Sequence, residues 1–375
     1  MAGLTPAPGA GGQRLLGTPP AAGPRPPAHL AFAARAPSDT APAPVTAAEG
    51  EALGGGTHLD QAALERALGY AQRQRSSAVV IVDHGRVVAE RYWSVDAEAA
   101  SQYARLLVGK TEAGAPIEDV ASLQKSVVSV LVGIAVDRGL LALDAPVSTF
   151  LGAGWSNATC DEESAITIRH LLSMTSGLSP TLEFQAPAGS AWRYNTRAYS
   201  ELVTVLEAVT GDDIGVLTKH WLTGPLGMSD TSWRRRPWVA PGMDASSIGL
   251  CTTARDLARL GELMLAGGFW QGRRIVSRSY VEAVVTPSQS LNMAYGLLWW
   301  LNGRSLRTGP GVSDRGVLAG AAPRDMVAAQ GALGRKVYVV PSLALVVVRL
   351  GDAPDDDFNQ RFWELLTAAP AAPAR

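Results

Sequence analysis

A chain of 375 residues that is 47% hydrophobic and 18% charged has enough apolar material for one large core or two intermingled ones. A formal net charge of −1 gives no bias toward nucleic acid or a membrane surface. Two cysteines, Cys160 and Cys251, cannot make a disulfide framework, the five histidines form no H-E-x-x-H pattern, and G-x-S-x-G is absent.

Residues 1–57 hold ten of the 24 prolines, mixed with Ala and Gly, and are expected to be a disordered leader. No charged region leads into an apolar core there, so the segment does not read as a signal peptide, and a cytoplasmic location follows. Leu59 to about Gln74 has the period of an amphipathic helix, with Leu64, Leu68 and Ala71 on one face. Ala78–Val82 and Arg86–Tyr92 flank Asp83-His84-Gly85 and read as a β-hairpin, His84 being a turn residue. Residues 94–119 read as irregular and polar.

The next stretch organises the rest. Ser122-Leu123-Gln124-Lys125 opens an apolar run in which Val127, Val130, Leu131 and Ile134 recur at helical spacing. Ser122 and Lys125 are three apart, so they share one face of the first turn. Backbone N–H groups left free at that end favour a developing anion. A serine hydroxyl needs a group to take its proton, and a neutral lysine amine can do so. Arginine cannot, because it stays protonated. Only four of the 33 basic residues are lysines (Lys110, Lys125, Lys219 and Lys336), so a lysine at this position stands out. Alone, S-x-x-K recurs by chance, and a capping serine followed by a solvated lysine is the alternative.

Beyond Gly139, which ends that helix, further helices are expected at 166–174, 202–209, 214–222, 252–266 and 277–285. Arg234-Arg235-Arg236, between Trp233 and Trp238, reads as a solvated basic loop. Strand signals return at Tyr295–Leu301, Met326–Gln330, Lys336–Val340 and Leu343–Leu350, before a final helix from Phe358 to Thr367. The expected fold is therefore α+β. One antiparallel sheet is built from both ends of the chain and flanked by helices, with a mostly helical second lobe. The division is 58–119 with 287–368 for the sheet lobe and 120–286 for the helical lobe, leaving 369–375 as a disordered tail. The junction of the lobes is the natural cleft.

Several segments in order carry a resemblance. They are Ser122-x-x-Lys125, the run from Gly139 to Val147, Ile166–Leu178, Pro225-Leu226-Gly227-Met228, and Thr252–Gly261. Together they resemble the serine β-lactamase-like hydrolases: class C β-lactamases, D-alanyl-D-alanine carboxypeptidases, and related esterases and 6-aminohexanoate-oligomer hydrolases. The resemblance covers about residues 59–368 and implies a β-lactamase/transpeptidase-like fold. It makes Ser122 the nucleophile and Lys125 its base, with no metal or organic cofactor required.

The family's Tyr-x-Asn motif is matched by Tyr194-Asn195-Thr196, which puts Tyr194 in proton transfer, as phenolate or as relay. Its Lys-Thr-Gly or His-x-Gly strand is matched only by Ala329-Gln330-Gly331, followed by Ala332. The cation is gone, but backbone N–H groups of Ser122 and Ala332 can still form an oxyanion hole, where each donor is worth roughly 3 kcal/mol. Arg335 or Lys336 could replace the missing charge. Trp192, Thr196, Tyr295 and Gly331 are the candidate substrate-pocket residues, and of Trp299 and Trp300 at most one faces the cleft, the other being core.

The departure on the third motif favours esters or linear amides as small-molecule substrates, through an acyl-Ser122 intermediate. A β-lactamase or D-Ala-D-Ala carboxypeptidase is the alternative, and a catalytically silent binding protein on the same fold is the second. No nucleic-acid or membrane partner is expected.

Overall fold

The computed structural model describes residues 59–96, 101–240, 243–305 and 317–368. The expected leader at 1–57 and tail at 369–375 lie outside the described residues.

The chain begins with α1 (Gln61–Arg73), capped by Asp60, whose carboxylate accepts from the Ala63 N–H at 2.8 Å. The hairpin follows as β1 (Ser76–Asp83) and β2 (Arg86–Tyr92), with His84 and Gly85 both at positive φ in its turn. Next come α2 (Gln102–Leu106), β3 (Leu107–Lys110) and β4 (Pro116–Asp119). A 3-10 turn (Ala121–Leu123) leads into α3 (Gln124–Asp137). The middle of the chain contains α4 (Ser148–Leu151), α5 (Cys160–Ser164), α6 (Ile168–Leu172), α7 (Thr196–Thr210), α8 (Ile214–Thr218) and α9 (Gly224–Leu226). Then follow β5 (Ser232–Arg235), β6 (Ile248–Thr252), α10 (Ala254–Leu265), a small hairpin of β7 (Phe269–Trp270) and β8 (Arg273–Arg274), and α11 (Arg278–Val284). The chain closes with β9 (Trp300–Leu301), β10 (Val327–Gly331), β11 (Arg335–Val340), β12 (Leu345–Gly351) and α12 (Phe358–Leu366).

Six strands form one antiparallel sheet in the order β2-β1-β12-β11-β10-β9, so the N-terminal hairpin pairs directly with the last strand. β1 and β12 are buried along their whole length, because both faces of the sheet are covered. One face carries Val80, Val337, Val346 and Val348 into a core shared with α3, α7 and α10. The other carries Val79, Ile81, Tyr338 and Val347 against α1 and α12.

A second sheet, β3-β4-β6-β5, was not legible in the sequence. Residues 94–119 are therefore not simply irregular, and the middle of the chain is not only helical. Its strands are four or five residues long, and β5 is polar and largely exposed, so neither alternation nor an apolar run marks it. This sheet joins β4, from the expected sheet lobe, to β6, from the expected helical lobe. The expected strand at Tyr295–Leu301 pairs only through Trp300–Leu301; Leu298 lies at φ 62°, and a single bridge ties Tyr295 to Trp300. Among the described residues, no helix is long and apolar enough to cross a membrane.

Candidate active site

The serine sits on a turn under strain. Val120 extends the β4–β6 pairing, its N–H donating to Leu250 O at 2.9 Å. Ala121 then adopts φ 51°, a left-handed conformation that costs a non-glycine residue roughly 1–2 kcal/mol. Asp119 holds it there, with Oδ1 accepting from the Ala121 N–H at 2.9 Å. Beneath the turn, Arg236 donates to both Asp119 oxygens, from Nε at 2.7 Å and from Nη2 at 2.6 Å. Arg236 Nη2 also reaches Gln124 Oε1 at 2.9 Å, and that oxygen accepts from the Leu250 N–H at 3.2 Å. Gly249 packs on the pair; a Cβ there would lie 2.1 Å from Asp119 Oδ2. The basic run is thus corrected: Arg234 and Arg235 are exposed, but Arg236 is buried and pins the start of α3.

From the other side β10 presses on the same turn. A Cβ on Gly331 would stand 2.1 Å from Val120 O, so only glycine permits the approach. Ala332 follows directly and is exposed.

One turn after Ser122, at the start of α3, Lys125 is 3% exposed, with Nζ 3.0 Å from Ser122 Oγ. Burial, helped by the Arg236 charge and opposed by Asp244, lowers its amine to a pKa of about 7. The Tyr194 and Tyr199 rings flank the amine, each centroid 4.9 Å from Nζ. The Tyr194 phenol hydrogen-bonds Ser122, and burial pushes it up to about 12. At neutral pH the phenol therefore keeps its proton, whereas the amine is close to its midpoint. Of the two, only the amine is poised to accept a proton.

Tyr194 is fixed because Asn195 caps α7, its Oδ1 accepting from the Ala198 N–H at 3.0 Å. The Asn195 amide also donates to Leu178 O and Ser179 O, at 3.0 and 2.9 Å. Trp300 stacks on the Tyr194 ring at 6.0 Å.

A cleft of about 470 Å³, counting its mouth, contains Ser122, Lys125 and Thr196 together with Arg236, Trp238 and Asp244. Trp192 and Tyr295 are 9% and 1% exposed and pack edge-to-face behind Tyr194, as core rather than lining. Trp299 is fully buried and Trp300 half-buried. Arg335 is fully buried and ion-paired with Glu118 at 2.8 Å. Lys336 donates to Gln330 Oε1 at 2.5 Å, with its amine beside the Tyr338 ring that packs under α12. Neither lines the cleft, so neither replaces the cation absent from β10. Among the described residues, no group of His, Cys, Asp and Glu is arranged to hold a metal ion.

Sequence reading missed Asp119, Arg236 and Asp244. Each acts on residues far along the chain, as Arg236 does on Asp119, and no local spacing announces such a pairing.

A mixed sheet-and-helix body with Ser-x-x-Lys at the mouth of a buried helix is a β-lactamase/transpeptidase-like fold. EstCE1, a hydrolase with promiscuous acyltransferase activity, shares it at TM-score 0.60 and 19% identity, over 82% of this chain and 98% of that one. A class C β-lactamase from Rhodobacter sphaeroides shares it at TM-score 0.57 and 18% identity, over 82% and 99%. The chain belongs to the Beta-lactamase family, whose model matches residues 61–368.

An uncharacterized protein of Alkalihalophilus pseudofirmus is 25% identical over 298 residues, 73% of this chain and 82% of that one. The 6-aminohexanoate-dimer hydrolase of Paenarthrobacter ureafaciens is 30% identical over 134 residues, 32% of this chain and 29% of that enzyme. Esterase EstB of Burkholderia gladioli is 31% identical over 160 residues, 32% of this chain and 40% of the esterase. The match therefore spans less than half of either enzyme. The family points to serine hydrolase activity.

Proposed function

We propose that this protein is a serine hydrolase that cleaves carboxylic esters or linear amides through an acyl-Ser122 intermediate. The observation that carries the reading is the buried Lys125 amine, 3.0 Å from Ser122 Oγ with a pKa near 7. As Ser122 Oγ attacks the carbonyl carbon, the neutral amine takes the hydroxyl proton. The backbone N–H groups of Ser122 and Ala332 receive the carbonyl oxygen as it gains charge. The proton passes by way of the Tyr194 hydroxyl to the leaving oxygen or nitrogen, which departs as alcohol or amine. Water then attacks the acyl-enzyme, Lys125 accepting its proton, and the acid leaves as Ser122 recovers its own. No step calls on a metal or an organic cofactor.

The absent cation on β10 supports esters and amides over penicillin-like substrates, whose carboxylate would find no partner there. Labelling with a fluorophosphonate followed by peptide mass spectrometry should place the adduct on Ser122, and S122A should lose hydrolysis of p-nitrophenyl butyrate. An adduct at another residue, or activity retained in S122A, contradicts the assignment. Turnover of nitrocefin faster than of simple esters would transfer the protein to the penicillin-recognising branch.

A further inference from the structure

We propose that Asp244 and Trp238 form a cation subsite in the cleft, so that the preferred ester or amide carries a quaternary or protonated ammonium group. This rests on the Ser122 hydrolase reading and specifies its substrate.

Three charged residues line the cleft: Lys125, Arg236 and Asp244. The Arg236 charge is met by the Asp119 carboxylate in a buried two-point pair. The Lys125 amine must be uncharged to act as base. Asp244 is therefore left as the uncompensated charge. It is exposed, and one oxygen accepts the Thr196 N–H at 3.1 Å. Among the described residues its other oxygen has no partner, and no Lys, Arg or His pairs with it.

Trp238 lines the same cleft as Asp244 and is 39% exposed although it is large and apolar. A cleft that offers both an indole and a carboxylate suits an alkylammonium group, which gains cation–π attraction from one and charge from the other. Arg236 lies 5.9 Å from the Trp238 ring centroid, its charge already offset by Asp119. Ala329 stands where the family's strand carries a cation, and Arg335 and Lys336 are engaged elsewhere.

Asp244 could instead serve only as a cap, holding the first N–H of α7. Asparagine separates the two roles, because it keeps an acceptor for Thr196 and removes the charge.

The test uses the full chain at about pH 8, where the Lys125 amine is mostly free. One set of substrates is the p-nitrophenyl esters of trimethylammoniobutyric acid, of its uncharged tert-butyl isostere, and of glutaric acid. A second set moves the cation to the leaving group, comparing butyrylthiocholine with its uncharged dimethylbutyl thioester. In one set or the other, kcat/KM should favour the cation over the neutral isostere on the order of tenfold. The glutarate ester should be slowest. D244N should bring the cationic-to-neutral ratio close to one, and W238A should lower it.

Equal rates across charge in both sets, or a preference that survives D244N, overturns the subsite while Ser122-dependent ester hydrolysis still stands. If no ester is hydrolysed in a Ser122-dependent way, the hydrolase reading fails and the subsite falls with it.

Discussion

In the proposed mechanism Lys125 has to be buried enough to shed its proton and close enough to Ser122 to take another. Burial makes the charged form expensive, which is why the amine sits near 7 rather than at its ordinary value of 10.5. The same shift is a cost to the fold. Between those two values the unfolded chain holds a proton that the native protein does not, so stability rises with pH across that window. Below the folded value the full penalty applies. K125M should therefore abolish hydrolysis yet stabilise the protein, by on the order of 2 kcal/mol near pH 6 and by less near pH 10. Thermal melts at the two pH values check this; a variant less stable than the parent at both contradicts it. Ser122 and Lys125 were legible because their relation is local, one helical turn. Tyr194 was reached through a motif, and its neighbours Trp300 and Asn195 became meaningful only once the ring had a place.

Among the elements, the short second sheet matters more to the site than its size suggests. β4 ends in Asp119, β5 runs into Arg236, and β6 supplies the Leu250 carbonyl and N–H that tether Val120 and Gln124. These strands hold the left-handed Ala121 and hence the direction of Ser122. R236M leaves Asp119 buried without its partner and should cost roughly 3–5 kcal/mol. It also removes a positive charge that helps depress the Lys125 amine, so the acid limb of the pH–rate profile should move to higher pH. Chemical denaturation and pH-dependent kcat/KM measure both effects. A variant with parental stability and an unmoved profile would remove Arg236 from this role. None of this was visible in sequence, because Arg-Arg-Arg between tryptophans says nothing about which arginine meets a carboxylate 117 residues away.

At the scale of the whole molecule, the two ends of the chain close one sheet. β1 lies against β12, from Ser76 opposite Gly351 to Asp83 opposite Leu345. That much could be read from Ala78–Val82 and Leu343–Leu350, β-branched runs too continuous to belong to a sheet with a wet face. The covering helices were legible from their period, although which face each covered was not. α12 buries Phe358, Phe362 and Trp363 over Tyr338 and the outer face of the sheet. Truncation after Asp356 should therefore expose a broad apolar surface and abolish cooperative unfolding and activity together, even though α12 touches no catalytic group. Circular dichroism melts and binding of a hydrophobic dye test this; a truncated chain that still melts cooperatively and turns over ester contradicts it.

If an uncharged Lys125 activates Ser122, the pH dependence of acylation carries its signature. Acylation by a neutral ester, followed as kcat/KM, should rise tenfold per pH unit through the acid range and level off near pH 7, where the amine is free. It should stay level well into the alkaline range, since the Tyr194 phenol holds its proton to about 12. A rate that is flat from about pH 5 to pH 9, or that falls as pH rises through 7, would show that a neutral Lys125 is not the base.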